Sequence, residues 1–210
     1  MVLDTAHRIS FTRQSNHRVA CVLLSAAVII AVASSTTWMV VNLAGTGVGA
    51  ATTQQSVIID TDPGIDDAVA ILAILSNPTV KVKAITCVRG NSNIPNVAIN
   101  ALKLISISKF TKDTVPVYSG SNSGLVDSPK SDNYFGADGL GDVAFPNPTP
   151  SASDIAQEHA ASYLAKVVTD NPGQITVICL GPLTNLALAI NLNPKFLQQV
   201  RQVVVLGGSI

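Results

Sequence analysis

Charge is scarce in this sequence. Only 12% of its 210 residues are Asp, Glu, Lys or Arg, about half the roughly 25% of ordinary soluble chains. That scarcity argues against disorder, which needs high charge and little apolar surface. Its 13 basic residues are matched by 13 acidic ones. No global basic field is left to hold phosphates, and no nucleic-acid partner is expected. Cysteine is limited to Cys21, Cys87 and Cys179, too few and too scattered for a disulfide framework or a zinc cluster. What is plentiful is apolar side chain, at 47%. The length bounds the chain at one or two domains.

The apolar excess has an address. No charged residue stands between Arg18 and Asp60. Residues 19–41 form an apolar run interrupted only by a Ser/Thr patch, long enough against the roughly 20 residues a membrane span needs. Upstream, Arg8, Arg13 and Arg18 face a single Asp4, a basic region (1–18) that stays cytoplasmic under the positive-inside rule. One reading is an uncleaved signal anchor over 19–41, with Trp38 near the interface. A second is a signal peptide cleaved after the small-residue pattern Ala31-Val32-Ala33. A transit segment or a buried helix are further readings. The first two place the globular part outside the cytosol, either membrane-tethered or in the secreted or endomembrane space. Residues 42–55, rich in Gly, Ala, Thr and Gln, read as the linker.

From residue 56 to 210 short apolar runs alternate with helical segments. Strands are expected at 56–60, 81–88, 115–118, 174–180 and 202–206. Helices are expected at 66–75, 95–108, 153–169 and 183–192, the first with acids in its opening turn and the second opened by Pro95. Residues 119–152 form a long Gly/Pro/Asp/Asn stretch, a length that usually means function or disorder. Nearly unbroken Val/Ile/Leu strands flanked by helices indicate a parallel sheet buried on both faces. The expected fold class is therefore α/β, a doubly wound, mostly parallel sheet with helices on both faces, preceded by the hydrophobic segment.

Ligands of such sheets bind outside the carboxyl ends of the strands. At one strand end stand Asp60, Asp62, Asp66 and Asp67. Carboxylates this close stay ionised together only if a cation or strong donors compensate them. Oxygen ligands suit calcium or magnesium better than zinc. The bland alternative is that Asp66 and Asp67 cap a helix while Asp60 and Asp62 make turns. A calcium loop of the EF-hand kind starting at Asp60 needs Glu at its twelfth position, which is Ile71, so that motif fails. A magnesium phosphatase of the haloacid dehalogenase type shares strand-Asp-x-Asp, but has Thr or Val where this chain has Gly64, and leaves Asp66 and Asp67 without a role.

The stretch from Asp60 to Asp67, Asp-Thr-Asp-Pro-Gly-Ile-Asp-Asp, resembles the signature of the inosine/uridine-preferring nucleoside hydrolase family. So do Ala84-Ile-Thr-Cys-Val-Arg-Gly-Asn91, Phe135-Gly-Ala-Asp-Gly-Leu-Gly141, Leu180-Gly-Pro-Leu-Thr-Asn185 and Val203-Val-Val-Leu-Gly-Gly208. Five segments stand in the family's order, over 57–210. The resemblance implies hydrolysis of the N-glycosidic bond of ribonucleosides to free base and ribose, with one calcium ion in the pocket. It implies Asp62, Asp67 and the Leu180 backbone carbonyl as calcium ligands, and Asp62 as the base that deprotonates the attacking water. It further implies Asp66 and Asn91 on the ribose hydroxyls, Asp60 supporting the site from behind, and a homodimer or tetramer. A hard cation suits that chemistry, because it grips a diol and a water together, while carboxylates stabilise an oxocarbenium-like sugar.

The resemblance also marks departures. The family's domain continues beyond its counterpart of Ile210, with a further ribose-binding segment, a His and a last calcium carboxylate, so a half-built site is expected here. The alternative expectation is a catalytically inactive, membrane-tethered ribose- or nucleoside-binding protein. Ending on a strand implies an uncovered sheet edge. Phe135 stands where some members carry a polar ring. His159 falls inside the expected 153–169 helix and reads as a surface or packing residue.

Overall fold

The computed structural model describes residues 19–22, 54–108, 114–126, 133–146 and 149–207. The strands are β1 (Val19–Val22), β2 (Gln55–Thr61), β3 (Val80–Cys87), β4 (Val117–Ser119), β5 (Ile175–Cys179) and β6 (Gln202–Leu206). The helices are α1 (Ile65–Ser76), α2 (Ile94–Ile107), α3 (Ala160–Asp170), α4 (Thr184–Leu192) and a single turn, α5 (Phe196–Gln199). All strand pairs among the described residues are parallel, in the order β1-β6-β5-β2-β3-β4.

Alternation along β2 sends its side chains into two cores. Val57 and Ile59 join Ile71, Ile74 and Val97 beneath α1 and α2. Ile58 points the other way, joining Leu164, Leu186 and Phe196 beneath α3, α4 and α5. Helices cover both faces of the sheet at β2 and β3, so the middles of these strands are mainly apolar, as a doubly wound parallel sheet requires.

The order of the strands fixes where a ligand would sit. From β2 the chain steps to β3 and β4 in one direction, whereas β5 and β6 build outward on the other side of β2. The direction therefore reverses between β2 and β5, and the crevice at their carboxyl ends is the site such sheets offer. Asp60 is paired there with Thr86 of β3 and Cys179 of β5.

Two elements differ from the sequence expectation. The helix expected at 153–169 begins only at Ala160, with His159 as its N-cap, its Nδ1 accepting the Ala161 N–H at 3.2 Å. Residues Ala152–Asp154 are instead a short 3-10 turn closed by Ser151 and Asp154. Ala156 forms a parallel bridge to Tyr118, its N–H donating to the Val117 carbonyl at 2.9 Å. That tertiary pairing beyond β4 outweighs local helix propensity. At the N-terminus, Val19–Val22 pairs with β6, Val19 opposite Val203 and Val22 opposite Leu206. The start of the expected apolar segment is thus an edge strand. Residues 23–41 and the linker to residue 53 lie outside the described residues. No helix among the described residues is long and apolar enough to cross a membrane.

On the α1 side, the sheet face of β5 and β6 borders a cavity of about 260 Å³. Ile74, Ile178, Val204 and Leu206 line its body, and Asp66 and Asp67 stand on its wall.

Candidate active site

The β2–α1 turn builds the site. Strand β2 delivers Asp60 inside the sheet and Asp62 just past its end, and α1 starts at Ile65 after Gly64. Asp66 and Asp67 therefore fall in the first helical turn, where the helix dipole favours negative charge. Asp66 faces solvent while Asp67 is buried. The Asp67 carboxylate accepts the Thr61 hydroxyl at 2.7 Å and the N–H groups of Asp62 and Gly64. Gly64 has a steric reason to be glycine, since a Cβ there would meet the Phe135 ring at 2.7 Å and Asn91 Nδ2 at 2.8 Å.

Asp62 is held between two glycines. A Cβ on Gly90, after β3, or on Gly181, after β5, would overlap the Asp62 carboxylate. Asn91 then clasps Asp62 twice, its N–H donating to Asp62 Oδ2 at 2.8 Å and its Nδ2 to the Asp62 carbonyl at 2.9 Å. The Leu180–Gly181 turn lies directly against the carboxylate, and the Leu180 N–H donates to the Asp60 carbonyl at 2.8 Å. Gly181→Ala is expected to destabilise the fold by about 1–3 kcal/mol through overpacking. A urea unfolding midpoint unchanged from wild type would contradict this packing.

Asp60 lies underneath, fully buried. Its Oδ1 accepts the Thr86 hydroxyl at 2.6 Å and Asn185 Nδ2 at 2.9 Å, whereas its Oδ2 has no hydrogen-bond partner. Burial raises the Asp60 pKa to about 6 against the lowering effect of those two donors. Burial, then the neighbouring Asp67 charge, raises Asp62 to about 7. Asp67 is raised to about 6 by burial, with Asp66 adding to the rise. The cluster is thus a set of desolvated carboxyls in which Asp62 and Asp67 also feel like charge, a state a cation relieves.

The long loop is anchored beside this cluster. Gly136, Gly139 and Gly141 all have positive φ, as do Asn133 and Asp142, which explains the glycine spacing. Asp142 accepts the N–H groups of Ala137 and Asp138, and Asp138 accepts those of Leu140 and Asp142. Asn100 and Ser92 bind the loop carbonyls of Asp138 and Ala137. The loop thereby brings Phe135 against Gly64 and Asn91.

The structure thus brings Asp60, Asp62, Asp67, Asn91 and the Leu180–Gly181 turn together, with Asp66 on the exposed side of the same helical turn. Among the described residues, no group of three or more His, Cys, Asp or Glu side chains is arranged to hold a metal ion. Asp62 and Asp67 nevertheless offer buried carboxylate oxygens, the donor type a hard cation takes, so the residues present fit such an ion in part. His159 caps α3 and belongs to no part of this cluster. Sequence reasoning did not assign roles to Asn185, Thr61, Thr86, Gly90 or Gly181. The available signal was positional for four of them, because Thr61, Thr86, Gly90 and Gly181 stand at or just beyond strand ends, whereas Asn185 lies in the first turn of α4.

Clustered carboxylates at the switch point of a parallel sheet define an α/β domain that takes its ligand at the carboxyl ends of its strands. Residues 57–210 match the family model described as inosine-uridine preferring nucleoside hydrolase, and the chain belongs to that family. It is 42% identical over 159 residues to a probable uridine nucleosidase 2 of Oryza sativa subsp. japonica, covering 75% of this chain and 46% of that one. It is 36% identical to the inosine-uridine preferring nucleoside hydrolase of Crithidia fasciculata, covering 73% of this chain and 48% of the relative. A solved plant nucleoside hydrolase superposes with a TM-score of 0.67 at 40% identity, over 74% of this chain and 48% of that one. The chain spans about half the length of these relatives. The match decides between the two strand-Asp-x-Asp readings in favour of the hydrolase over the phosphatase.

Proposed function

We propose that this chain carries the calcium- and ribose-holding half of a ribonucleoside N-glycosyl hydrolase, which releases free base and ribose. The observation that carries the reading is the Asp62 carboxyl, buried with Asp67 at the β2–β5 switch point, wedged between Gly90 and Gly181 and held by the Asn91 N–H. A carboxylate fixed in one place beside the ligand position can take the proton of a neighbouring water, as a general base must.

In this reading Asp62, Asp67 and the Leu180 carbonyl hold calcium. When bound, the ion supplies a hard Lewis acid that orients a diol and lowers the pKa of an attacking water. Asp62 accepts the proton from that water. Asn91, fixed by its two bonds to Asp62, and Asp66, on the solvent side of α1, hold the ribose hydroxyls. The nearby carboxylates stabilise positive charge as the ribosyl–base bond breaks. Phe135 gives the pocket an apolar wall beside Gly64.

The reading is tested by reducing-sugar release from inosine, uridine, adenosine and cytidine by the full chain, with calcium and with chelator. Chelator-sensitive release is expected. A folded chain that binds calcium and nucleoside without turnover would establish the non-catalytic binding protein instead.

Export or anchoring through residues 19–41 is likewise proposed, supported by the basic 1–18 region and the absence of charge up to Asp60. Val19–Val22 cannot both pair with β6 and enter a bilayer. Alkaline carbonate extraction of membranes decides, since retention in the pellet supports the anchor and complete release contradicts it.

A further inference from the structure

We propose that Asn185, on the first turn of α4, is a positioning residue that locks the Leu180–Gly181 turn onto the end of β2. This rests on the reading of the site given above, and it assigns to a residue outside the ligand set the task of setting the spacing between that turn and Asp62.

Asn185 is wholly buried, and its amide reaches three separate chain segments. Nδ2 donates to Asp60 Oδ1 on β2 and to the Cys87 carbonyl at the end of β3, both at 2.9 Å. Oδ1 accepts the Ser121 N–H, just beyond β4, also at 2.9 Å. One side chain thus ties α4 to the carboxyl ends of β2, β3 and β4. Gly120 leaves the space for it, because a Cβ there would overlap the Asn185 amide. Both donor hydrogens and one acceptor site are used in a fully buried place, the arrangement in which an amide is most specific.

The consequence for the site follows from chain connectivity. Only Pro182, Leu183 and Thr184 separate Gly181 from Asn185. Asp60 is clamped from both ends of this short segment, because its carbonyl accepts the Leu180 N–H and its carboxylate accepts Asn185 Nδ2. Leu180–Gly181 is therefore held against Asp62 by a closed loop of hydrogen bonds. Without Asn185 the loop opens on one side, and the turn is held by the Leu180 N–H alone. Truncation also leaves the Asp60 carboxylate, already without a partner at Oδ2, with the Thr86 hydroxyl as its one side-chain donor among the described residues.

The experiment compares Asn185→Ala with Leu186→Ala, the next residue on α4, which is buried in the core beneath α3, α4 and α5 and whose apolar side chain hydrogen-bonds none of these groups. Amide hydrogen exchange is followed in the full-length protein, with exchange at Leu180 and Ser121 taken relative to amides inside β5. The expected result is that Asn185→Ala speeds relative exchange at both positions by about tenfold or more, while Leu186→Ala leaves the ratio unchanged. Equal ratios in the two variants would overturn the proposal and leave Asn185 a packing residue. In a second arm, calcium is titrated by calorimetry. Asn185→Ala is expected to weaken binding by about 10–100-fold, as loss of an outer support does, with Leu186→Ala within about threefold of wild type. Equal affinities in the two variants would also overturn it. A wild-type chain with no calcium response would refute the calcium reading itself, and the exchange comparison would still decide on Asn185.

Discussion

Asp62→Asn is expected to lower ribose release by about 10²–10⁴-fold, the range that general acid–base groups contribute, while making the metal-free protein more stable. The two effects have one cause. Asp62 is wedged between Gly90 and Gly181, where burial and the Asp67 charge oppose ionisation. Asparagine keeps the shape and the acceptor for the Asn91 N–H but removes the charge. At pH 8 in chelator the variant is expected to gain on the order of 2–4 kcal/mol, since each pKa unit corresponds to about 1.4 kcal/mol. Calcium is expected to reverse that order by stabilising the wild type and not the variant. Urea unfolding with and without calcium measures both. A variant less stable than wild type in chelator would show that the charge is compensated by something else.

The second large effect is pH dependence. Asp60, Asp62 and Asp67 are all raised from 3.8, to about 6, about 7 and about 6. The folded chain therefore holds protons that the unfolded chain has already released. Stability from these groups is complete below about pH 4 and is lost as pH rises through 6 to 7. Metal-free protein is thus expected to weaken between pH 4 and 7.5, against the usual direction for carboxylates. Saturating calcium at pH 7.5 restores stability by about 2.7 kcal/mol at a hundredfold excess over Kd. Unfolding midpoints at pH 4.5, 6 and 7.5 in chelator test the sign, and midpoints that climb across that range would contradict it.

Much of this was legible in the sequence, for local reasons. The strand expected at 202–206 is β6 itself, and the helix expected at 66–75 is α1 with one residue added at each end. Unbroken β-branched runs identify buried strands, and acids after a strand identify a helix start. Asp60, Asp62 and Asp67 come together because only five residues separate Thr61 from Asp67, whose side chains are hydrogen-bonded. What was hidden is non-local. The partners of Asn185 lie 125, 98 and 64 residues away, and no periodicity records such distances. The late start of α3 depends on the Ala156 bridge to Tyr118. The single turn α5 buries Phe196 completely but is too short to show a helical period.

The most direct test is uridine hydrolysis by the full chain at pH 7.5, followed by the appearance of uracil and free ribose. Wild type with calcium, wild type with chelator and Asp62→Asn with calcium would be run side by side. Release in the first alone, with Asp62→Asn folded, is the result expected from a site in which Asp62 and a hard cation act together. Equal release in all three, or none from a folded wild type with calcium present, would contradict the assignment of catalysis to this carboxylate cluster.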